Sequence, residues 1–464
     1  MNSLFNKGIA MSFDVINPAT GEKVKSIQSW DDAEIEKALV ETANVTSVWQ
    51  EMSMSHRAEI VARAGQVLRD NKDKYAAIIT EEMGKLIKDA RAEVEKCAGV
   101  CDFYAQNGEK FLADEIIESD AGKSYVAHQP LGTVLAVMPW NFPFWQVFRF
   151  AAPALVAGNT GVLKHASNVP QCAFAIEEVF EKAGAPTGVF KSLMIRASQV
   201  KQVIEDDRIH AVTLTGSEPA GRQVASTAAN VLKKSVLELG GSDAFIVLDD
   251  ADLSLAVPQA VISRYLNTGQ SCIAAKRFIV VDKIADEFVK QFKVAVEALQ
   301  HGDPMDETTT LAPMAREDLR DELHEQVVDT LKAGAIAVTG CEPIDCAGAY
   351  YKASILDNVE KGMRAYTEEL FGPVAIVIRV KDADEAVAVA NSSVFGLGSS
   401  VWTQDNKLGE AVALKLQAGC SFVNGFVKSD SRLPFGGIKR SGFGRELSHH
   451  GIKEFVNAKT IWIR

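Results

Sequence analysis

The chain has 464 residues, which is too long for a single hydrophobic core, and it is 47% hydrophobic and 24% charged, as globular proteins are. Its 61 Asp and Glu outnumber 49 Lys and Arg. The resulting net charge of −12 argues against a nucleic-acid partner, which favours a basic face.

No targeting or membrane segment is apparent. The first residues, MNSLFNKGIAMSF, lack the apolar run of a signal peptide. The most apolar stretch, residues 147–158, contains Arg149 and is too short to span a bilayer. Seven scattered cysteines, an odd number, suit free thiols in a reducing compartment. We therefore expect a cytoplasmic protein without a membrane anchor.

The first quarter of the chain has a helical pattern. Apolar residues recur at helical spacing from Asp31 to about Ala113. Cys97 and Cys101 share one helix face with Val94 and Tyr104, where core packing is favoured over a two-thiol metal site.

From about Ser124, short apolar runs alternate with helical stretches. The runs that predict strands are 132–140, 160–164, 210–216, 235–241, 243–250, 277–282, 335–340 and 374–380. Helices are predicted between them, for example over 171–183, 221–232, 283–299 and from 382. This alternation predicts an α/β fold with two largely parallel sheets and a cleft between two lobes.

Three residues are candidates for catalysis. Cys272 in NTGQSCIA follows a loop glycine, although a lone cysteine is more often a buried small hydrophobe. Glu238 ends an apolar strand in VLELGG, where burial would raise its pKa towards that of a general base; a strand-end glutamate paired with lysine or facing solvent is the alternative. Asn141 in PWNFP could donate to an oxyanion or simply form a turn.

Other segments suit a dinucleotide. TGSEPAG (215–221) opens a helix whose backbone N–H groups can bind an anion, although the chain lacks the G-x-G-x-x-G fingerprint. Glu369 in EELFGP can accept from ribose hydroxyls, and Phe371 can pack on a flat ring. The full set of cofactor candidates is Trp140, Lys164, Ser167, Gly216, Ser217, Gly221, Glu369 and Phe371.

In combination these motifs are specific. PWNFP, VLKHA, TGSxxxG, LELGG, GQSC, ELFGP and PFGGIKRSGFGRE follow one another in an order that resembles the aldehyde dehydrogenase superfamily, from INPATGE (16–22) to the C-terminus. The resemblance implies two Rossmann-like three-layer α/β/α lobes and a small β oligomerisation element. The implied domains are 1–110 with 131–239 for NAD(P), 240–440 for catalysis, and 111–130 with 441–464 for joining subunits into a homodimer or a dimer of dimers.

The resemblance also implies a mechanism. Cys272 attacks an aldehyde carbon as thiolate, the Asn141 amide and the Cys272 N–H bind the oxyanion, hydride passes to NAD or NADP, and Glu238 activates the water that hydrolyses the thioester. Relatives that transfer the acyl group to coenzyme A commonly lack this glutamate, so a free acid product is expected. A thiol hydrolase and a non-catalytic scaffold are the competing hypotheses.

Cofactor choice depends on the position three residues after Lys164. Members strict for NAD often have glutamate there, whereas this chain has Ser167, which does not repel the phosphate of NADP. We expect both cofactors to be accepted. No metal is expected, because the adjacent His449 and His450 cannot easily converge on one ion.

The substrate is suggested by closer resemblance to the shorter bacterial succinate-semialdehyde dehydrogenases of this superfamily. Arg149 is the first candidate for binding the far carboxylate, with an internal ion pair as its alternative role. Arg432 is a second candidate, unless it is a solvated loop charge, and Ser429 or Lys428 could assist. Some such enzymes have Arg six residues before the catalytic cysteine, where this chain has Leu266.

Overall fold

The computed structural model describes residues 12–464. Residues 1–11, which hold most of the segment assessed as a signal sequence and the start of the predicted cofactor domain, lie outside the described residues.

Helices dominate the beginning of the described chain and alternate with strands after it. The N-terminal elements are β1 (Ser12–Ile16), β2 (Lys23–Gln28), α1 (Asp32–Glu51), α2 (Met54–Asp70), α3 (Lys72–Met83), α4 (Ile87–Phe111), β3 (Glu115–Ile116) and β4 (Lys123–Pro130). The next are β5 (Thr133–Met138), α5 (Trp145–Ala157), β6 (Thr160–His165), α6 (Pro170–Lys182), β7 (Phe190–Ser192), α7 (Val200–Glu205), β8 (Ile209–Thr215), α8 (Glu218–Asn230) and β9 (Lys234–Glu238).

The second half repeats the alternation. Its elements are β10 (Asp243–Val247), α9 (Leu253–Tyr265), β11 (Ala275–Val281), α10 (Asp282–Glu297), α11 (Glu317–Lys332), β12 (Ile336–Thr339), β13 (Ser354–Asp357), α12 (Arg364–Thr367), β14 (Val374–Val380), α13 (Ala383–Asn391), β15 (Gly398–Trp402), α14 (Asn406–Lys415) and β16 (Cys420–Val423). The chain closes with β17 (Gly442–Phe443), α15 (Ser448–Lys453) and β18 (Val456–Ile463).

Two sheets form the centres of the two lobes. The first has the order β17-β9-β8-β5-β6-β7 and is parallel except where β17 joins β9. The second has the order β12-β13-β14-β11-β10-β15-β16 and is parallel except where β12 joins β13. Strands β10 and β11 are buried along their whole length, as apolar runs covered by helices on both faces require. The predicted α/β class with two largely parallel sheets is confirmed.

The helical prediction for the N-terminal segment is also confirmed, since α1 to α4 span it. Cys97 and Cys101 are fully buried in the first lobe's core together with Val94 and Tyr104, so the core-packing interpretation holds. All seven cysteines are free thiols.

Helix α5 contains the most apolar stretch of the sequence, and all 13 of its residues are buried inside the first lobe. Among residues 12–464, no helix combines the length and apolar character needed to cross a membrane.

A third, small sheet has the order β18-β4-β3, with β18 as an edge strand. It joins the two segments predicted to form the oligomerisation element. The C-terminal segment is also part of the first lobe, because β17 pairs with β9 and because Ile452 and Phe455 pack into that lobe's core. The exact domain boundaries stay a prediction.

Candidate active site

The cysteine loop is built on unusual backbone. Asn267, Thr268 and Gly269 follow α9 with φ values of 53°, 54° and 72°, in the left-handed region that disfavours side chains. A Cβ on Gly269 would lie 2.2 Å from the Gly372 carbonyl oxygen, so glycine is also required for close approach. The loop delivers Cys272, half-buried, just before β11 begins.

Two buried cations hold this loop. Arg264 donates to the carbonyls of Gly269, Leu370, Gly372 and Ala275, so it ties the cysteine loop to the segment carrying Glu369 and Phe371. These bonds engage both terminal nitrogens of a guanidinium that is fully buried without a carboxylate partner among the bonds described for it, while its Nε has no hydrogen-bond partner.

Lys276 fixes the cysteine itself. Its ammonium donates at 2.7 Å to the carbonyls of both Ser271 and Cys272 and lies 2.9 Å from a Glu369 oxygen. Burial raises the pKa of the Cys272 thiol to about 12, while Lys276 and Arg149 act in the opposite direction. The resting cysteine is therefore a thiol, and its activation needs added positive charge or a base.

Asn141 lies in the turn between β5 and α5. Its Nδ2 donates to the Gln270 carbonyl at 3.0 Å, and Asn267 Nδ2 donates back to the Asn141 carbonyl at 2.9 Å. Gln146 donates to Asn141 Oδ1 at 3.1 Å, which fixes the amide's orientation. The structure thus brings Asn141 beside the cysteine loop, and the second Nδ2 hydrogen can serve another acceptor.

A buried ion pair supports the Asn141 turn. Glu93 accepts from the backbone N–H groups of Phe144 at 2.9 Å and Trp145 at 3.0 Å, at the start of α5. Its other oxygen pairs with Lys85, whose ammonium lies 3.8 Å from the centre of the Phe142 ring. Both charged side chains are almost completely buried.

Glu238 ends β9, as predicted, and is buried. Burial and the neighbouring Glu446 raise its pKa well above the usual value, the direction expected for a base. Its carboxyl faces Gly436, since a Cβ there would lie 2.6 Å from Glu238 Oε1. Glu238 is not among the residues of the described wall of the cavity at Cys272. The chain that follows Glu238 nevertheless packs against the cysteine loop, because a Cβ on Gly241 would lie 2.8 Å from the Cys272 carbonyl oxygen.

A cavity opens over Cys272. Its wall includes Trp145, Gln146, Arg149, Leu266, Phe435 and the side chains of Lys96, Lys428 and Ser429. Aromatic and aliphatic groups dominate this wall, and the charged groups lie among them.

The positive charge of Arg149 is paired with a carboxylate of the protein itself. Its Nε pairs with a Glu446 oxygen, its Nη2 donates to Thr215 Oγ1 at 3.3 Å, and its guanidinium lies 4.6 Å from the Phe435 ring centre. The internal pair that the sequence left as an alternative is therefore present, and the geometry gives no separate support to Arg149 as a substrate anchor.

Arg432 and Ser429 differ in position. The Arg432 side chain is 78% exposed, pairs with Asp430 and is absent from the described cavity wall. Ser429 lies on that wall and accepts from Lys96 Nζ at 2.7 Å. The arrangement matches the solvated loop charge considered for Arg432.

A separate groove lies at the carboxyl ends of the first sheet, where α/β folds bind nucleotides. Lys164, Val137 and Leu214 line it from the strands, and Lys201 and Val224 line it from α7 and α8. Gly216 and Ser217 precede α8, and a Cβ on Gly221 would meet Leu239 at 2.6 Å, so that glycine permits close packing.

The other cofactor candidates lie in different parts of the structure and do not line the groove that Lys164 lines. The rings of Trp140 and Phe371 meet edge to face with centres 5.8 Å apart. Glu369 pairs with Lys276 and accepts from Gly241 N at 3.1 Å. Ser167 is exposed and lines a cleft with N-terminal strand residues, not the groove that Lys164 lines.

Sequence reasoning missed the supporting ions. Arg264 and Lys276 stand in largely apolar stretches, which is a signal for a buried charge. Lys85 and Glu93 lie in segments rich in charged residues, so the sequence gives no such signal for them. Within residues 12–464, no three His, Cys, Asp or Glu side chains form a metal site.

A thiol on a loop beside an amide donor, with a nucleotide-type groove in the adjoining sheet, defines a class of α/β oxidoreductase that works through a cysteine. The chain belongs to the aldehyde dehydrogenase family, whose model matches residues 5–461. The predicted family is thereby confirmed.

Individual relatives are similar along nearly their whole length. A protein of Synechocystis sp. named a probable NADP(+) succinate-semialdehyde dehydrogenase is 50% identical over 453 residues, covering 98% of this chain and 100% of the relative. The NADP(+) succinate-semialdehyde dehydrogenase 1 of Mycobacterium tuberculosis is 48% identical, with 98% and 100% covered. The crystal structure of the Streptococcus pyogenes succinic semialdehyde dehydrogenase with NADP+ has a TM-score of 0.95 at 40% identity, covering 97% and 99%.

Proposed function

We propose that this protein oxidises an aldehyde to a carboxylic acid, using NADP+ or NAD+ and Cys272. The observation that carries the proposal is the hydrogen bond from Asn141 to Gln270, which places an amide donor beside the loop of a cysteine that opens into a cavity. If Cys272 were only a small hydrophobic residue of the core, it would need neither the amide donor nor the cavity.

The cysteine and the amide account for the first step. Once a base has taken the proton of the Cys272 thiol, the thiolate sulfur forms a bond to the aldehyde carbon, and the carbonyl electron pair becomes an alkoxide. The Asn141 Nδ2 and the Cys272 N–H donate to that oxygen; one such donor typically contributes about 10²–10³ in rate. Bound NADP+ or NAD+ supplies the acceptor for the hydride, and the carbon is left as a thioester on Cys272.

Glu238 accounts for the second step. Its raised pKa suits a carboxylate that takes a proton from water near neutral pH. The oxygen of that water adds to the thioester carbon, the C–S bond breaks, and the free acid leaves while Cys272 regains its electron pair. Glu238 is not among the residues of the described cavity wall, so we propose that its side chain moves towards Cys272 for this step.

The substrate we propose is succinate semialdehyde, giving succinate. Two curated relatives at about half identity carry that name. The cationic side chains Lys96 and Lys428 on the cavity wall suit an aldehyde with a carboxylate at its far end. Another small aliphatic or aromatic aldehyde is the alternative.

For the cofactor we propose a preference for NADP+. The described wall of the groove at the first sheet carries two ammonium groups, Lys164 and Lys201, and no carboxylate. A 2′-phosphate has nearly two negative charges at neutral pH and is favoured by such surroundings. Apolar Val137, Leu214 and Val224 suit a flat purine ring between strand ends and α8.

One experiment tests activity, substrate and cofactor together. Succinate semialdehyde, butanal and benzaldehyde are each offered with NADP+ and with NAD+, and reduced cofactor is followed by absorbance. We expect the highest kcat/KM for succinate semialdehyde with NADP+, and none in Cys272→Ala. Ester cleavage without aldehyde-dependent cofactor reduction would favour a thiol hydrolase, and no turnover at all would favour a scaffold.

We also propose a cytoplasmic homodimer or dimer of dimers. The small sheet exposes Ile116, Ile117, Trp462 and Ile463 by 48–69%, and β18 is its unpaired edge. An exposed apolar sheet edge of this kind favours pairing with another chain, and a second copy of this chain would cover it. Sedimentation velocity should give a dimer or tetramer that Trp462→Asp weakens; a monomer at micromolar concentration would refute the assembly.

A further inference from the structure

His165 is a buried histidine to which the proposed reaction gives no part. It ends β6 directly after Lys164, which lines the groove at the first sheet, and only 5% of its surface is exposed. In the parallel pairing of β5 with β6, His165 stands opposite Met138, three residues before Asn141. The histidine therefore lies between the nucleotide-type groove and the turn that carries the oxyanion donor.

The hydrogen bonds of the His165 ring define which nitrogen is protonated. Its Nδ1 accepts from the Ala166 N–H at 2.9 Å, so the ring hydrogen of the neutral form is on Nε2. That nitrogen lies 2.9 Å from the Pro143 carbonyl oxygen and donates to it. Burial lowers the pKa of His165 to about 4, although the bond to Pro143 acts in the opposite direction. The ring is therefore a neutral, single donor to Pro143 at neutral pH.

The Pro143 carbonyl has no partner in the helix that follows it. The first N–H groups of α5 donate to the carbonyls of Phe142 and Phe144, and within residues 12–464 the bond described for the Pro143 carbonyl comes from His165. A buried carbonyl without a donor is costly. Glu93 holds two N–H groups of the same turn from the other side. His165 and Glu93 thus fix the carbonyl side and the N–H side of one turn.

We propose that His165 is a positioning residue for the oxyanion: by holding the Pro143 carbonyl, it keeps the Asn141 amide where the alkoxide forms. The inference rests on the proposed function and adds a residue that acts on the reaction through the turn, without contact to the aldehyde. Accurate placement matters, because a misplacement of about 1 Å in a catalytic group can cost about 10²-fold in rate.

The test separates the turn from the cofactor groove. His165→Phe keeps a ring of similar shape and removes the donor, whereas His165→Gln keeps an N–H at the end of the side chain. We expect His165→Phe to lower kcat about 10-fold, as partial misplacement of a transition-state donor would, and His165→Gln to recover most of that loss. The KM for the aldehyde, and the Kd for NADP+ measured by tryptophan fluorescence, should each stay within about twofold of the parent.

His210→Phe is the matched control. His210 Nδ1 accepts from the Thr133 N–H at 3.1 Å, at the opposite end of β5, so this variant removes a histidine bond from the same strand without touching the Asn141 turn. Its kcat should equal that of the parent.

A double-variant cycle with Asn141→Ala decides the route of the effect. In that background, His165→Phe should lower kcat by less than about a further twofold, because the group that it positions is already gone. Losses that multiply, or a Kd for NADP+ that weakens as much as kcat falls, would overturn the role of His165. Where His165→Phe does not fold, His165→Asn, whose shorter amide cannot reach Pro143, takes its place in the cycle. A parent without aldehyde-dependent cofactor reduction would refute the proposed function, whereas multiplying losses in an active parent would refute the role of His165 alone.

Discussion

The Lys85–Glu93 ion pair allows a quantitative test of how the Asn141 turn is held. Both side chains are at most 2% exposed, and Glu93 also accepts from the N–H groups of Phe144 and Trp145. In Glu93→Gln the amide oxygen can still accept those two bonds, but the Lys85 ammonium is left buried without its counter-charge. Removing one partner of a buried pair costs about 3–5 kcal/mol.

Replacing both charged side chains should lower the free energy of unfolding by less than the sum of the two single replacements. For a lobe of roughly 150–250 residues, a loss of that size lowers the melting temperature by on the order of 10 °C. Lys85→Met in the Glu93→Gln background takes away the unpaired ammonium, so we expect the double variant to melt above Glu93→Gln alone. Its kcat should recover in parallel, since Asn141 lies just before the N–H groups that residue 93 holds.

The assay is thermal unfolding at one scan rate, because large multidomain proteins commonly unfold irreversibly. The exposed pair Lys74–Glu178 provides the control cycle, and its members should each change the melting temperature little. If the effects of Lys85→Met and Glu93→Gln simply add, the two charges do not depend on each other and the reasoning fails.

Three other changes have defined outcomes. Asn141→Ala should lower kcat about 10²–10³-fold with an unchanged circular dichroism spectrum, and a smaller loss would mean that the oxyanion has other donors. Gly269→Ala should yield little folded protein, because a Cβ there meets the Gly372 carbonyl at a positive φ; normal soluble yield and melting temperature would contradict the close approach of this loop to Gly372. Glu238 has a raised pKa, so the folded protein keeps a proton that the unfolded chain releases above about pH 4.3, and its contribution to stability falls as pH rises. Glu238→Gln should therefore lose kcat yet gain melting temperature relative to the parent as the pH rises above about 4.3, and a pH-independent difference would argue against the raised pKa of Glu238.

Much of the fold is predictable because its signals are local. The runs around β5, β6, β8 and β10 are apolar over one strand length and are broken by Gly or by charge, so their position is apparent in the sequence. Since Asn141 and Glu238 follow such runs directly, their location at strand ends could be predicted as well. The two-residue β17 could not, because its pairing with β9 depends on a return of the chain from the far C-terminus.

The role of each charge was harder to predict than its position. Arg149 is in a buried segment, as the sequence indicates, but its partner Glu446 comes from the C-terminal region that also supplies β17. Lys96 belongs to a helix with no motif, and only the packing of α4 against α5 brings it to the cavity of Cys272. Spacing along the chain contains no information about which of two cations is neutralised by a distant acid.

The difference between the buried cations and Lys96 follows from what burial demands. Arg264 and Lys276 can be buried only because backbone carbonyls and Glu369 accept their hydrogens, and those same bonds fix the cysteine loop. Their charge is thereby committed to holding the protein's own backbone. Lys96 is placed differently, because its ammonium donates to the neutral Ser429 hydroxyl and lies over the Trp145 ring, and none of the hydrogen bonds described for it goes to a backbone carbonyl.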